Sequence, residues 1–593
     1  MRINRLAISF LLVVFSASSV AIAQTEEKEK AEKGVEKRQE LERKSLALLD
    51  ETIASAWGLR LVQNRSFIFE SAANLLWTRD EKRARRLFWD GFNSLNLPAA
   101  PTEINVKLSP AEKAKLLNEY YAAFNLRQSF LRGVAQRDPQ LALDMLRSTH
   151  WSPPQNLDVN YQLPDERDLE QDIANEAAAR DPKQALRIAR ESLAKGLTFQ
   201  VLGFFYELNR RNPDAASEFA NDLINKIDSS NLENDVVAWR TGLMLLSLSR
   251  VPRNASTENS DTPQSKSLKL TYDQKHTLVD KITEVTLSAS AKPGFVSEAS
   301  EVMPEIEEFA PDRAASIKAK MANVTLTKQQ LGWGSYDSLF RDGTPQDMLR
   351  AGTKLTPDVR NQLDQQAVVR AVGTGKGDEI RDFINSDVQD ETRKRTLVDS
   401  LDAEQIAHAV SAGNVDELEK LLPSIRAKQN RARALAELAI ILEKNGQHDD
   451  AVKYLDEAYG LAKLDLKSDS QSTALLTVLM GYALIDPPKA FAIIEPIVDR
   501  VNDEVSKLML VDKFFRTGIA SKGEILIQQS GMLPVDFLVF KYGRGINALA
   551  SADFNRTKAL ADRFQRNELR IMARLMIART LLQDDNEQAK TAQ

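Results

Sequence analysis

None of the 593 residues is cysteine, which excludes disulfides, thiolate metal ligands and a cysteine nucleophile. Histidine is nearly as scarce. His150, His276, His408 and His448 are the only four, and the closest two stand 40 residues apart. No His-Glu-x-x-His pair can therefore clamp a metal from one helix, and a zinc site would need distant histidines and carboxylates. Neither a metal nor a cofactor is expected. Charge of one sign is lacking too: 79 basic residues face 84 acidic ones, a net charge of −5. That balance argues against nucleic acid or an anionic membrane as the main partner. Beyond the first residues, no apolar run reaches the ~18–20 residues that span a bilayer.

What is present begins with an export signal. Arg2 and Arg5 form a basic start, Leu6 to Phe15 an apolar stretch, and Ala21-Ile22-Ala23 a small-x-small cleavage site before Gln24. This order reads as a secretory signal peptide over residues 1–23, so a periplasmic or extracellular location is expected. No cysteine follows the apolar stretch, which excludes lipoprotein anchoring. From Glu26 to Lys44, fourteen of nineteen residues are charged, with both signs mixed. Residues 24–50 therefore read as a solvated helix or a disordered spacer.

Five times a proline is followed three residues later by alanine: Pro139/Ala142, Pro182/Ala185, Pro213/Ala216, Pro311/Ala314 and Pro487/Ala490. Asp138, Asp181, Asn212 and Asp486 precede four of them, as an N-cap precedes proline at the first helical position; Ala310 precedes the fifth. An alanine there lets the preceding helix approach closely, so each copy marks a helix–turn–helix hairpin. Recurrence of such a unit predicts an all-α fold, a superhelical array of antiparallel helix pairs in two halves. An N-terminal array over 51–250 precedes a linker at 251–268, rich in Ser, Thr, Asn and Pro. Helical hairpins continue over 269–324, an irregular connector follows at 325–357, and a second array spans 358–583 before a tail, 584–593.

One unit carries a resemblance. In Ala432 to Lys463, Leu435, Leu438 and Ala439 share a helix that Gly446 ends, and Ala451, Leu455 and Ala458 lie on the next. This resembles a tetratricopeptide repeat, with small residues at the helix crossing and glycine in the turn. Leu435 stands where the family has a large aromatic and Lys463 where it has a proline, so the copy is degenerate. Gly413 to Leu418 and Gly377 to Ile380 are similar to weaker copies of the same turn. The resemblance implies a concave groove that binds a protein or peptide partner. Its lining positions on this unit would be Arg433, Ala436, Ile440, Glu443 and Lys444.

Other chemistry is thinly represented. Val372 to Asp378 has the look of a phosphate loop, but Arg370 replaces the first glycine and Gly377 the magnesium-binding hydroxyl. Glu298, Glu301, Glu305, Glu307 and Glu308 cluster as a glycosidase's paired carboxylates would, although solvated helix faces look the same. Arg79 to Arg86 reads as a salt-bridged outer face, and Arg570 with Arg574 as an anion-gripping ridge or a charged cap. Trp151 and Trp333, in expected loops, are candidate ligand anchors or plugs between arrays. The leading expectation is an exported, non-catalytic helical-repeat protein that binds a protein or peptide at the cell envelope. The alternatives are an enzyme acting on envelope polysaccharide, with carboxylates from different helix pairs, and a purely structural spacer.

Overall fold

The computed structural model describes residues 35–95, 109–149, 163–178, 180–250, 268–288, 293–330, 343–352, 357–462, 469–515, 520–527 and 545–582. Among them the fold is all-α, and the one sheet is a hairpin pairing Ala520–Ser521 with Glu524–Ile525. Two residues per strand are too few to show an alternating pattern in the sequence. Each of the five prolines opens a helix: Pro139–Arg147, Pro182–Lys195, Pro213–Asp228, Pro311–Gln330 and Pro487–Phe515. Asp138 accepts from the Leu141 N–H at 3.0 Å, Asp181 from Gln184 at 3.0 Å, Asn212 from Ala215 at 3.1 Å and Asp486 from Lys489 at 3.2 Å. Each such cap contributes about 1 kcal/mol, and proline supplies a fixed φ where no N–H is needed. The paired alanines, Ala142, Ala185, Ala216, Ala314 and Ala490, are all buried, as close helix approach requires.

The described residues form two compact units. One comprises the chain up to Leu75 together with everything from Leu349 onward, and the other is Leu76–Met348. Within the second unit, helices pack on their neighbours and next neighbours in sequence, as Glu166–Ala178 does on Pro182–Lys195 and Gln200–Arg211. Its interior holds charge as well as aliphatics. Arg127 is fully buried and donates to the carbonyls of Leu146 at 2.9 Å and Thr149 at 3.0 Å, ending the helix Pro139–Arg147. Further along, the Trp239 ring stacks on Phe295 at 4.7 Å, and its Nε1–H donates to Glu298 at 2.9 Å. Glu305, also buried, takes 2.8 and 2.6 Å bonds from Arg250. Two acids of the glutamate cluster seen in the sequence are thus partners within the fold.

The first unit is built from both ends of the chain. A helix runs over 35–56, so the boundary drawn at residue 50 falls inside it. Leu48 packs with Ala550, Phe554, Ala561 and Ile577, and Leu41 lies against this cluster. Polar contacts fix the register. The carboxylate of Glu524 accepts the backbone N–H groups of Arg60 and, at 2.9 Å, Leu61. Asn64 donates to Ile525 O at 2.7 Å and accepts from Ile527 N–H at 2.9 Å. Glu51 pairs with Lys558 at 2.7 Å.

The rest of this unit is a run of helices whose core centres on the tetratricopeptide-like pair, Lys428–Lys444 and His448–Ala462. Leu435, Leu438, Ala439, Ala451, Leu455 and Ala458 are all buried there. Gly446 has φ 79°, a left-handed conformation that costs other residues free energy. The helix Asp469–Ile485 covers both members of the pair. Tyr482 ties it to the second member, its ring buried and its hydroxyl donating to Asp456 at 2.6 Å. Val372 to Asp378 holds the end of Pro357–Gly373, the start of Gly377–Asp387 and the three-residue turn between them, with Gly375 at φ 71°.

Candidate functional site

A cavity of about 360 Å³ opens in the first unit, between the helices Glu391–Ser411, Lys428–Lys444 and Asp469–Ile485. The first of these contributes Thr396, Asp399, Ser400 and Ala403, spaced i, i+3, i+4 and i+7 along one helical face. The second contributes Gln429, Asn430 and Arg433, the third Thr473, and Ala427 lies between. Two side chains tie the walls together. Asn430 Nδ2 donates to Asp399 O at 3.0 Å, and the Arg433 guanidinium donates to Ala403 O at 2.9 Å. These bonds leave much of the lining uncommitted. Among the described residues, the Asp399 carboxylate, the Ser400 hydroxyl and the Gln429 amide make no hydrogen bond. Burial pushes the Asp399 carboxyl above the usual carboxylate range, against the pull of Arg395. No aromatic side chain among the described residues lines the cavity.

Behind Asp399 on the same helix lies a second, fully buried carboxylate. Asp402 accepts from Arg381 at 2.5 Å through one oxygen, while its Oδ2 has no partner among the described residues. Gln405 accepts from the same guanidinium at 2.7 Å. Burial raises the Asp402 carboxyl, with Arg381 opposing that shift and Asp399 adding to it. Arg381 therefore anchors the helix that carries the cavity wall.

The five groove positions read from the sequence do not share one surface. Arg433 lines the cavity. Ala436 and Ile440 are buried, 0% and 6% exposed, so a partner cannot reach them without moving the core. Glu443 accepts from His448 Nδ1 at 2.9 Å, and Lys444 is exposed beyond it. The physical reason is the number of neighbours. Lys428–Lys444 is flanked by helices on several sides, and of its accessible residues only Gln429, Asn430 and Arg433 line the cavity. Trp151 and Trp333 lie outside the described residues, as do the linker residues Val251 to Ser267. Sequence reasoning passed over Thr396, Asp399, Ser400 and Gln429, which look like the polar face of any amphipathic helix.

A smaller cavity of about 240 Å³ lies where Lys37, Glu40, Leu41 and Lys44 meet residues 550–555. Its two acids are already engaged: Glu40 pairs with Lys44 at 2.7 Å, and Asp553 accepts the Arg556 N–H at 2.9 Å. The arginine ridge is engaged as well, since Arg574 donates to Asp562 at 2.6 Å. Among the described residues no three metal-binding side chains converge, and no helix is long and apolar enough to cross a membrane. No protein-family model matches the chain, and no curated protein is significantly similar to it in sequence.

Proposed function

We propose that this is an exported, non-catalytic helical-repeat protein that holds a segment of a polypeptide partner in the cavity beside Arg433. In this reading the helix pairs stack as an α-solenoid in two halves, the second tetratricopeptide-like, and the partner lies along its groove. One observation carries the reading: three alternate helices of this run place hydroxyl, amide, carboxylate and guanidinium groups around one cavity, with hydrogen-bonding capacity to spare. A polypeptide main chain alternates donors and acceptors, and such a lining suits it better than an apolar anchor. A polysaccharide-cleaving mechanism asks for two carboxylates flanking one bond, and among the described residues this cavity is lined by a single acid, Asp399.

Binding of the full chain to an array of random dodecapeptides tests the reading, with Thr396→Trp as a variant that fills the cavity from an exposed position. Spots bound by the wild type and lost in the variant, at unchanged helicity, support it. Binding that persists with the cavity filled, or no binding at all, refutes it. The export element predicts a mature N-terminus at Gln24 in protein recovered from the envelope. Mass spectrometry that finds residues 1–23 retained would overturn that element.

A further inference from the structure

Resting on that reading, we propose that the cavity selects a segment bearing a lysine or arginine side chain, with Asp399 as its counter-ion. The two charged groups in the lining are in different states. Arg433 is held by its bond to Ala403 O, among neutral polar groups of the lining. Asp399 stands half-buried with no hydrogen-bond donor on its carboxylate among the described residues, and no described cation lies within ion-pair distance. A carboxylate partly withdrawn from water and left without protein donors is solvated less well than a free one, and an arriving ammonium or guanidinium offsets that deficit.

The surroundings agree with a basic side chain presented by a peptide. Ser400, one residue along the helix, and Gln429 across the cavity supply an acceptor and donors for the adjoining main chain. Thr396 and Thr473 present small polar walls, and Ala403 and Ala427 leave room for an aliphatic stem to lie flat. A lining without aromatic rings among the described residues offers no stacking platform to a sugar ring or an aromatic anchor.

A positional-scanning dodecapeptide array, probed with the full chain in wild-type, Asp399→Asn and Asp399→Glu forms, tests this. The wild type should favour lysine or arginine at one position on the order of tenfold over leucine, the size of one charge-assisted hydrogen bond. Asp399→Asn should remove the preference while retaining weaker binding, and Asp399→Glu should restore most of it. Raising salt should weaken the wild-type preference and leave the residual Asn-variant binding nearly unchanged. Peptide binding without a basic preference, or with an acidic one directed at Arg433, overturns the inference and leaves the polypeptide reading standing. A basic preference that survives Asp399→Asn overturns the assignment to this residue. No peptide binding by the wild type overturns both.

Discussion

Gly481 sits on the helix Asp469–Ile485 where it crosses Leu455, and the crossing decides what an added methyl does. A Cβ at Gly481 would lie 2.7 Å from Leu455 Cδ1, 3.4 Å from Cδ2 and 3.7 Å from Cγ. Leu455 is fully buried, so it cannot swing out to solvent. In a free helix interior, glycine to alanine gains about 1 kcal/mol. Overpacking a filled core costs about 1–3 kcal/mol, so Gly481→Ala alone should destabilise by about 1 kcal/mol. Leu455→Ala alone should cost about 3 kcal/mol through the lost side chain and its cavity. In the Leu455→Ala background the clash is gone, and Gly481→Ala should now stabilise by about 1 kcal/mol or more, the helix gain plus part of a buried methyl. The sign reverses, with a coupling of about 2 kcal/mol. A chain of two compact units does not unfold in one step, so the assay is hydrogen exchange of peptides from residues 428–485, read as opening free energies. Equal effects of Gly481→Ala in both backgrounds, or stabilisation by the single variant, would refute the packing argument.

Three further outcomes follow from named contacts. Glu524→Ala leaves the buried N–H of Leu61 and that of Arg60 without their acceptor, and should lower the opening free energy of residues 59–64 and 520–527 by about 2–4 kcal/mol in hydrogen exchange; Glu524→Gln, which keeps one acceptor, should lose less, and equal losses would argue against the carboxylate bridge. Burial holds Asp402 above its ordinary value of 3.8, so the folded state keeps this proton more tightly than the unfolded chain and stability falls as pH rises from 3.8 through the folded-state value; Asp402→Asn should flatten that part of the melting-temperature profile, and an unchanged slope would show that the carboxyl is not perturbed. Glu207 is drawn down to about 2 by Arg210, with Arg211 adding to the pull, so its contribution is present above 4.5 and lost as pH falls from 4.5 toward 2; because the pairs are solvent-facing the loss should be only ~0.5 kcal/mol, seen as a shallower acid limb for Glu207→Gln.

The helix starts were legible because their signal is local. Asp or Asn before proline, with alanine three residues on, needs no knowledge of the rest of the chain, and each such residue is found capping, opening or buried where expected. Gly446 was legible for the same reason, since a glycine between two apolar-periodic stretches marks a left-handed turn that other side chains resist. The union of the chain's ends was not. Leu41 stands in a run dominated by charge and Leu48 just beyond it, and nothing near them says that Ala550, Phe554 and Ile577 will cover them. Glu524 and Asn64 are ordinary polar residues until the fold sets each against backbone more than 450 positions away in sequence.

The candidate site divides along the same line, and the division explains why Arg433 was read and Asp399 was not. A resemblance supplies residues by their place within one repeat, so it finds a side chain on the helix it describes. It then assumes that the helix keeps an open face, and here Ala436 and Ile440 were lost because neighbouring helices close that face. The cavity belongs to three helices at once, and its uncommitted carboxylate comes from a helix outside the one well-matched repeat. Asp399 differs from many other acids of this chain in what surrounds it: a place on a cavity wall where it is half-buried, a backbone carbonyl already claimed by Asn430, and no donor for its own oxygens among the described residues. Those are properties of packing between elements. A chemical role for Asp399 therefore had to wait for the tertiary structure, whereas the scaffold that presents it could be read from proline, alanine and glycine alone.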